Sequence, residues 1–162
     1  MNAADSQASI QARFADGPAQ LEQALAGLGD TDLDAPPAQG GWTIRQIVHH
    51  IVDGDDLWTA GLKAALGNEQ GEFTLEWYWV QPQDTWADRW AYAARPIDVS
   101  LALFKAIRAH VTQLVDHVPD AWNRSISVRE PNGETTRLTV SAIVEMQADH
   151  LQHHVRRILA LR

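Results

Sequence analysis

A chain of 162 residues with no cysteine and a net charge of −8 excludes several classes of protein at once. The length suits one domain, residues 1–162, whose core needs no staples, and the lack of Cys removes disulfides, thiolate metal sites and a Cys nucleophile, leaving His and carboxylates as candidate ligands. Thirteen Lys and Arg against twenty-one Asp and Glu oppose binding to nucleic-acid phosphates, and the one basic cluster, Arg156, Arg157 and Arg162, complements the dipole of a final helix.

In chain order, the first helix is predicted from about Gln11 to Leu28, with Leu21, Leu25 and Leu28 at helical spacing and Asp16-Gly17-Pro18 as an alternative start. A loop rich in Gly, Pro and Asp follows, from Gly29 to Gly41. Thr43-Ile44-Arg45-Gln46 is a capping box that opens a second helix carrying Ile44, Ile47, Ile51, Trp58 and Leu62. Gly67 to Arg95 forms a long aromatic connection with a short helix around Trp86 to Ala94. A third helix spans Ile97 to Val118 and stops at Pro119. Ser125–Val128 and Thr135–Leu138 flank Pro131-Asn132-Gly133, which predicts a small β-hairpin. The last helix runs from Thr139 to Leu161. Long amphipathic helices with two sizeable connections predict an all-α four-helix bundle. No signal-like N-terminal region and no apolar run able to span a bilayer stand out, so a cytoplasmic protein without membrane contact is expected.

The chemistry rests on the histidines, seven in all. On the wheel of the last helix, Val140, Val144, Leu151, Val155 and Ile158 set the core direction; His154 lies roughly 60° and His150 roughly 100° from it, while His153 faces water. In the second helix His50 lies roughly 90° from the core and His49 points nearly opposite, outward. His50, His150 and His154 are therefore candidates for one metal ion held between facing helices. The plainer reading is that each is a hydrogen-bonded residue at the edge of the core. No Glu stands between His150 and His154 as a metalloprotease base, and no Glu-x-x-His pair supports a di-iron site. What remains is a mononuclear site of neutral imidazoles with a coordination position open to water or substrate.

Other residues are weaker candidates. Asp53, one turn after His50, is placed to hydrogen-bond a metal-bound water or orient a ligand, and equally to be a solvated helix residue. Asp55 and Asp56 read as surface charges. Arg45 suits a substrate carboxylate less well than local packing in the first turn. Trp77, Tyr78, Trp79, Trp86 and Trp90 either close the end of the bundle or wall a pocket or dimer surface. Ser125 and Ser127 have no nearby His–acid pair to support a serine triad.

Gly40-Gly41-Trp42-Thr43-Ile44-Arg45-Gln46-Ile47-Val48-His49-His50 resembles the second-helix signature of the DinB-like superfamily, and Asp149 to Ile158, with His150-Leu151-Gln152-His153-His154, resembles its closing helix. Gln83-Asp84-Thr85-Trp86-Ala87 and the Gly133 loop are similar to its YfiT-type branch of metal-dependent hydrolases. The chain departs from that branch at Gln147-Ala148, where an aromatic pair is common. The resemblance implies an up-down-down-up four-helix bundle, often a homodimer, with a divalent ion, commonly zinc or nickel, on His50, His150 and His154. It also implies a hydrolase or a thiol-S-transferase acting on a small molecule, in some relatives with a low-molecular-weight thiol such as bacillithiol or mycothiol. Against the enzyme stands a non-catalytic, stress-related bundle with a structural metal; DNA binding is opposed by the charge.

Overall fold

The computed structural model describes residues 3–68 and 70–162, with side-chain surroundings from Ser6 onward. The first helical stretch is two helices, α1 (Ala3–Ala15) and α2 (Gly17–Leu25), which meet at Asp16. Pro18 sits in the first turn of α2, where its missing N–H costs nothing. Gly17 makes the junction fit. A Cβ there would lie 2.6 Å from Leu151 Cδ2 and 3.0 Å from Arg108 Nη1.

After a one-turn α3 (Asp30–Leu33), α4 (Ile44–Gly67) begins at the predicted capping box. Thr43 Oγ1 accepts from the Gln46 amide at 3.3 Å, and Gln46 Oε1 accepts from the Thr43 amide at 2.9 Å. The aromatic connection contains β1 (Glu72–Thr74), α5 (Glu76–Trp79) and α6 (Gln83–Arg89). The predicted helix around Trp86 to Ala94 thus begins earlier, after Pro82, and ends before Ala91, whose φ of 53° breaks the helix. α7 (Asp98–His117) and α8 (Val140–Leu161) follow the expected spans closely.

Between them lie β2 (Ser125–Arg129) and β3 (Thr135–Thr139), the predicted hairpin, antiparallel with Ser125 opposite Thr139 and Arg129 opposite Thr135. Its turn uses Gly133 at φ +84°. β1 adds a parallel edge to β2, with Glu72 opposite Ser127, and Arg129 grips Glu72 through two bonds of 2.6 and 2.7 Å. This third strand was not foreseen; three residues are too short for a period-2 pattern to show.

Cross-helix pairs fix the topology. Asp55 meets Arg108 and His49 meets Ser100, so α4 and α7 run parallel. Asp55 meets Gln147 and His50 meets His150, so α4 and α8 run antiparallel. Gly17 touches Leu151 and Ala24 accepts from Arg162, so α2 runs with α8. The result is a four-helix bundle of up-down-down-up order, with α1 and α2 forming one leg. No helix among the described residues is long and apolar enough to cross a membrane.

The core has two apolar halves. One, toward the sheet, holds Phe14, Leu62, Val111, Ile126 and Ile143; the other holds Leu21, Ile44, Ile47, Ile51, Phe104 and Ile158. Between them lies a polar layer that corrects the expectation for Asp55. That residue is fully buried, not a surface charge. Arg108 donates to its carboxylate at 2.5 and 3.1 Å, to the Phe14 carbonyl at 3.0 Å and to the Gln147 carbonyl at 3.0 Å. The guanidinium also lies 4.0 Å from the Phe14 ring centroid and 4.8 Å from that of Phe104. Removing one partner of such a pair strands a charge in the core. Arg108→Met is expected to lower the unfolding free energy by about 3–5 kcal/mol, read from urea denaturation; a loss under about 1 kcal/mol would show that the layer is not a structural anchor.

Candidate metal centre

α4 and α8 bring His50, His150 and His154 together at the end of the bundle away from the sheet. The i, i+4 spacing stacks His150 and His154 on one flank of α8, and the antiparallel α4 presents His50 across the seam. Their Nε2 atoms converge. His150 Nε2 is 3.1 Å from that of His50 and 3.1 Å from that of His154, and the ligand atoms of all three lie within 4.8 Å of one another. The remaining histidines stay out: His153 is exposed on the outer face of α8, as expected, and His110 and His117 are exposed on α7.

This arrangement is not explained by hydrogen bonds among the rings. A neutral imidazole has one N–H and one lone pair, so His150 Nε2 cannot satisfy two neighbouring nitrogens at once. The Nδ1 atoms of His50 and His154 are buried without a hydrogen-bond partner. With the protons on Nδ1, three Nε2 lone pairs face one point, which is the donor set a divalent cation takes. A tetrahedral ion with nitrogen ligands at about 2.0–2.1 Å needs N···N spacings of roughly 3.3 Å, close to the two spacings of 3.1 Å that His150 makes.

Burial holds all three rings neutral. It pulls the His50 pKa down to about 3, that of His150 to about 4 and that of His154 to about 3. Neighbouring imidazoles and the nearby Arg157 and Arg108 cations act in the same direction. Lone pairs are therefore available at neutral pH without competition from protons. Packing sets the ring positions. Trp42 meets the His50 ring edge-on at 4.8 Å, with its indole N–H donated to Asp84 at 2.7 Å. The His150 ring lies directly against the turn of α4 at Gly54, where a Cβ would be in ordinary contact with His150 Cε1 at 3.4 Å.

A cavity of about 180 Å³ opens onto His50 and His150. Trp58, Leu75, Tyr78 and Trp79 wall it, and Gln147 borders it from α8. Tyr78 donates its hydroxyl to Gln83 at 2.6 Å and is stacked by Trp86 and Trp90 at 5.6 and 5.9 Å. Part of the Trp/Tyr cluster is thus pocket wall and part is its buttress, while Trp77 is half exposed. A larger open groove of about 550 Å³ between α2 and α7 carries none of the three histidines.

Other candidates fall elsewhere. Asp53 faces Arg95, 3.3 Å away, on the neighbouring flank of α4, and no hydrogen bond joins it to the three rings among the described residues. Arg45 is buried and clamps Asp34 at 2.6 Å and Asp30 at 2.8 Å, tying the loop around α3 to α4. The outward placement of His49 is corrected: it is fully buried, with Nδ1 2.9 Å from Ser100 Oγ and Nε2 3.0 Å from the Arg95 carbonyl. The first turns of α4 are covered on both sides, by the bundle and by the segment ending at Arg95, whereas a wheel with one apolar stripe assumes a single covered side. Gln147 and Asp55 were missed as interior polar groups; both stand at core spacing, Gln147 three residues after Val144 and Asp55 four after Ile51.

A sequence profile described as "DinB superfamily" matches residues 13–158, and the chain belongs to that superfamily. It is 29% identical over 148 residues to a Geobacillus kaustophilus protein, covering 90% of this chain and 78% of that one. It is likewise 29% identical over 147 residues to a Bacillus mycoides protein, covering 91% and 80%. Both bear the name "putative metal-dependent hydrolase". Among solved structures it matches YfiT from Bacillus subtilis, described as "a probable metal-dependent hydrolase with an unusual four-helix bundle topology", with a TM-score of 0.80 at 24% identity over 99% of this chain and 88% of that one. That match supports the four-helix-bundle fold.

The depressed histidine pKa values make a pH prediction for chelator-treated protein. Between about pH 6.5 and pH 4 the unfolded chain binds protons at these positions that the folded chain does not, so stability falls as pH is lowered. The slope is up to about 1.4 kcal/mol per pH unit for each histidine within its window. Urea unfolding at pH 7.5 and 5.0 should show the wild type losing more stability than His50→Gln/His154→Gln; equal losses would contradict neutral, buried rings.

Proposed function

We propose that this protein is a metal-dependent enzyme acting on a small molecule, as a hydrolase or a thiol-S-transferase, with His50, His150 and His154 holding one divalent ion, zinc or nickel. The observation that carries this reading is the meeting of three Nε2 atoms at one point that a walled cavity reaches. The names of the relatives support the metal-dependent hydrolase part of this reading.

Bound by three neutral imidazoles, such an ion supplies a Lewis acid with its full positive charge and lowers the pKa of a water or thiol held beside it. The chain supplies the rest. Trp58, Leu75 and Trp79 limit water around the reacting group, which strengthens every charge interaction there. Tyr78, fixed by Gln83 and by the stacked Trp86 and Trp90, keeps the wall in place. Among the described residues the cluster contains three potential ligands and no fourth, which favours an open catalytic position over the closed coordination of a structural ion.

Elemental analysis of tag-free protein tests the site directly. About one divalent ion per chain is expected, falling to background in His150→Ala/His154→Ala while helical circular dichroism is retained. Wild-type protein that stays metal-free after incubation with zinc and with nickel would sink the proposal. A loaded protein then warrants rate measurements on ester and amide hydrolysis and on thiol transfer.

A further inference from the structure

Gly54 and Gly61 both stand in the interior of α4, and packing explains only the second. A Cβ at Gly61 would lie 2.8 Å from Phe73 Cε1, so that position needs glycine. At Gly54 a Cβ would meet the His150 ring in ordinary contact, 3.4 Å from Cε1 and 3.9 Å from Nδ1, and nothing else beyond the adjoining chain of α4 within 4 Å. A mid-helix glycine costs stability relative to alanine, and here an alanine methyl has room. Gly54 therefore leaves a space that folding does not require. That space belongs to the cavity. His50, Gly54 and Trp58 recur every four residues along one side of α4, and all three line it, as does Leu57. A side chain at position 54 would enter the cavity between His50 and Trp58, beside His150.

The walls define what the space accepts. Leu57, Trp58, Leu75, Trp79 and Met146 are apolar or aromatic, and among the described residues no Lys or Arg lines the cavity. The carboxylate of Asp55, also in the lining, is fully buried and already held by Arg108. A charged group entering here would lose its water without gaining a partner. A volume of about 180 Å³ exceeds only slightly the roughly 150 Å³ dry cavity that takes up benzene. A single ring fits, or an aliphatic group of that size.

We propose that this cavity receives a compact, uncharged, apolar group of the substrate, of the size of a single ring, and that Gly54 determines this specificity by leaving room for the group beside His150. The assignment rests on the metal-dependent reading for its catalytic meaning; binding of the group itself needs no ion. A larger residue at position 54 closes the space and, by removing a mid-helix glycine, does so without a helix-propensity cost. The stability given up at Gly54 is thus exchanged for a place to bind.

Nitrobenzene and benzoate are suitable probes, since they match in shape and differ in charge. Isothermal titration gives nitrobenzene affinities for protein as purified and after chelation. The two probes are compared on the chelated sample, where no ion can capture the benzoate carboxylate. Wild type is expected to bind nitrobenzene with a dissociation constant of about a millimolar or tighter, and benzoate about tenfold more weakly or worse. Gly54→Leu, which puts an isobutyl group into the space, is expected to weaken nitrobenzene about tenfold or more. Gly54→Ala is expected to raise the midpoint of urea unfolding. No binding of nitrobenzene by wild type at millimolar concentration, equal affinities for the two probes, or nitrobenzene binding that survives Gly54→Leu would each overturn the assignment. A Gly54→Ala chain less stable than wild type would overturn it too, because the glycine would then serve the fold. The wild-type comparison decides even where Gly54→Leu fails to fold. Failure of the metal-dependent reading shows separately: a chain that takes up neither zinc nor nickel, yet binds nitrobenzene and loses it in Gly54→Leu, removes the proposed catalysis and leaves this pocket assignment standing.

Discussion

The buried pair of Asp55 and Arg108 is the constraint on which the rest of the molecule depends. Both side chains are almost fully out of water, and burial pushes the Asp55 carboxyl up to about 6 against the pull of Arg108. The desolvation cost of such a pair is offset only where geometry and extra hydrogen bonds are good. Here Arg108 bonds Asp55 twice and also serves carbonyls of Phe14 and Gln147, so one guanidinium joins α1, α4, α7 and α8. An apolar layer would tolerate sliding; this one does not.

That fixed layer sets the register of the histidines. His50 is five residues before Asp55 on α4, and His150 and His154 are three and seven residues after Gln147 on α8. A slip of one residue along either helix shifts a side chain by about 1.5 Å and rotates it by about 100°. Either change would pull apart nitrogens that now sit 3.1 Å from one another. The same layer supplies the floor of the cavity through Gln147 and Asp55. Structural anchor, candidate ligands and candidate pocket are thus successive turns of the same two helices.

The connections complete the site from outside the bundle. Arg45 holds the loop around α3 through Asp30 and Asp34, and Trp42, just before α4, covers His50 while bonding Asp84 at the start of α6. The stack of Tyr78, Trp86 and Trp90 then keeps the aromatic wall over the cavity. His49, held by Ser100 and the Arg95 carbonyl, pins the start of α7 to α4 on the opposite flank. Adjacent histidines in the sequence therefore have unrelated tasks, one facing the centre and one fastening the chain around it.

Local sequence patterns specify the long helical segments, the capping box that opens α4, the hairpin and the three histidines that share a seam. Those features follow from local rules: periodicity, a capping box, a turn glycine and a spacing of four on one helix. Their limits are equally physical. A helical wheel with one apolar stripe placed His49 outward, and charge alone put Asp55 at the surface, although Asp55 and Gln147 stand at core spacing beside Ile51 and Val144. Whether a polar residue at such a position is buried depends on a partner distant in the chain, and Arg108 is 53 residues from Asp55. The parallel pairing of β1, the covering of α4 on two sides and the cavity beside the histidines arise only from tertiary contacts. Each needs segments far apart in sequence to meet, and no local pattern records that meeting.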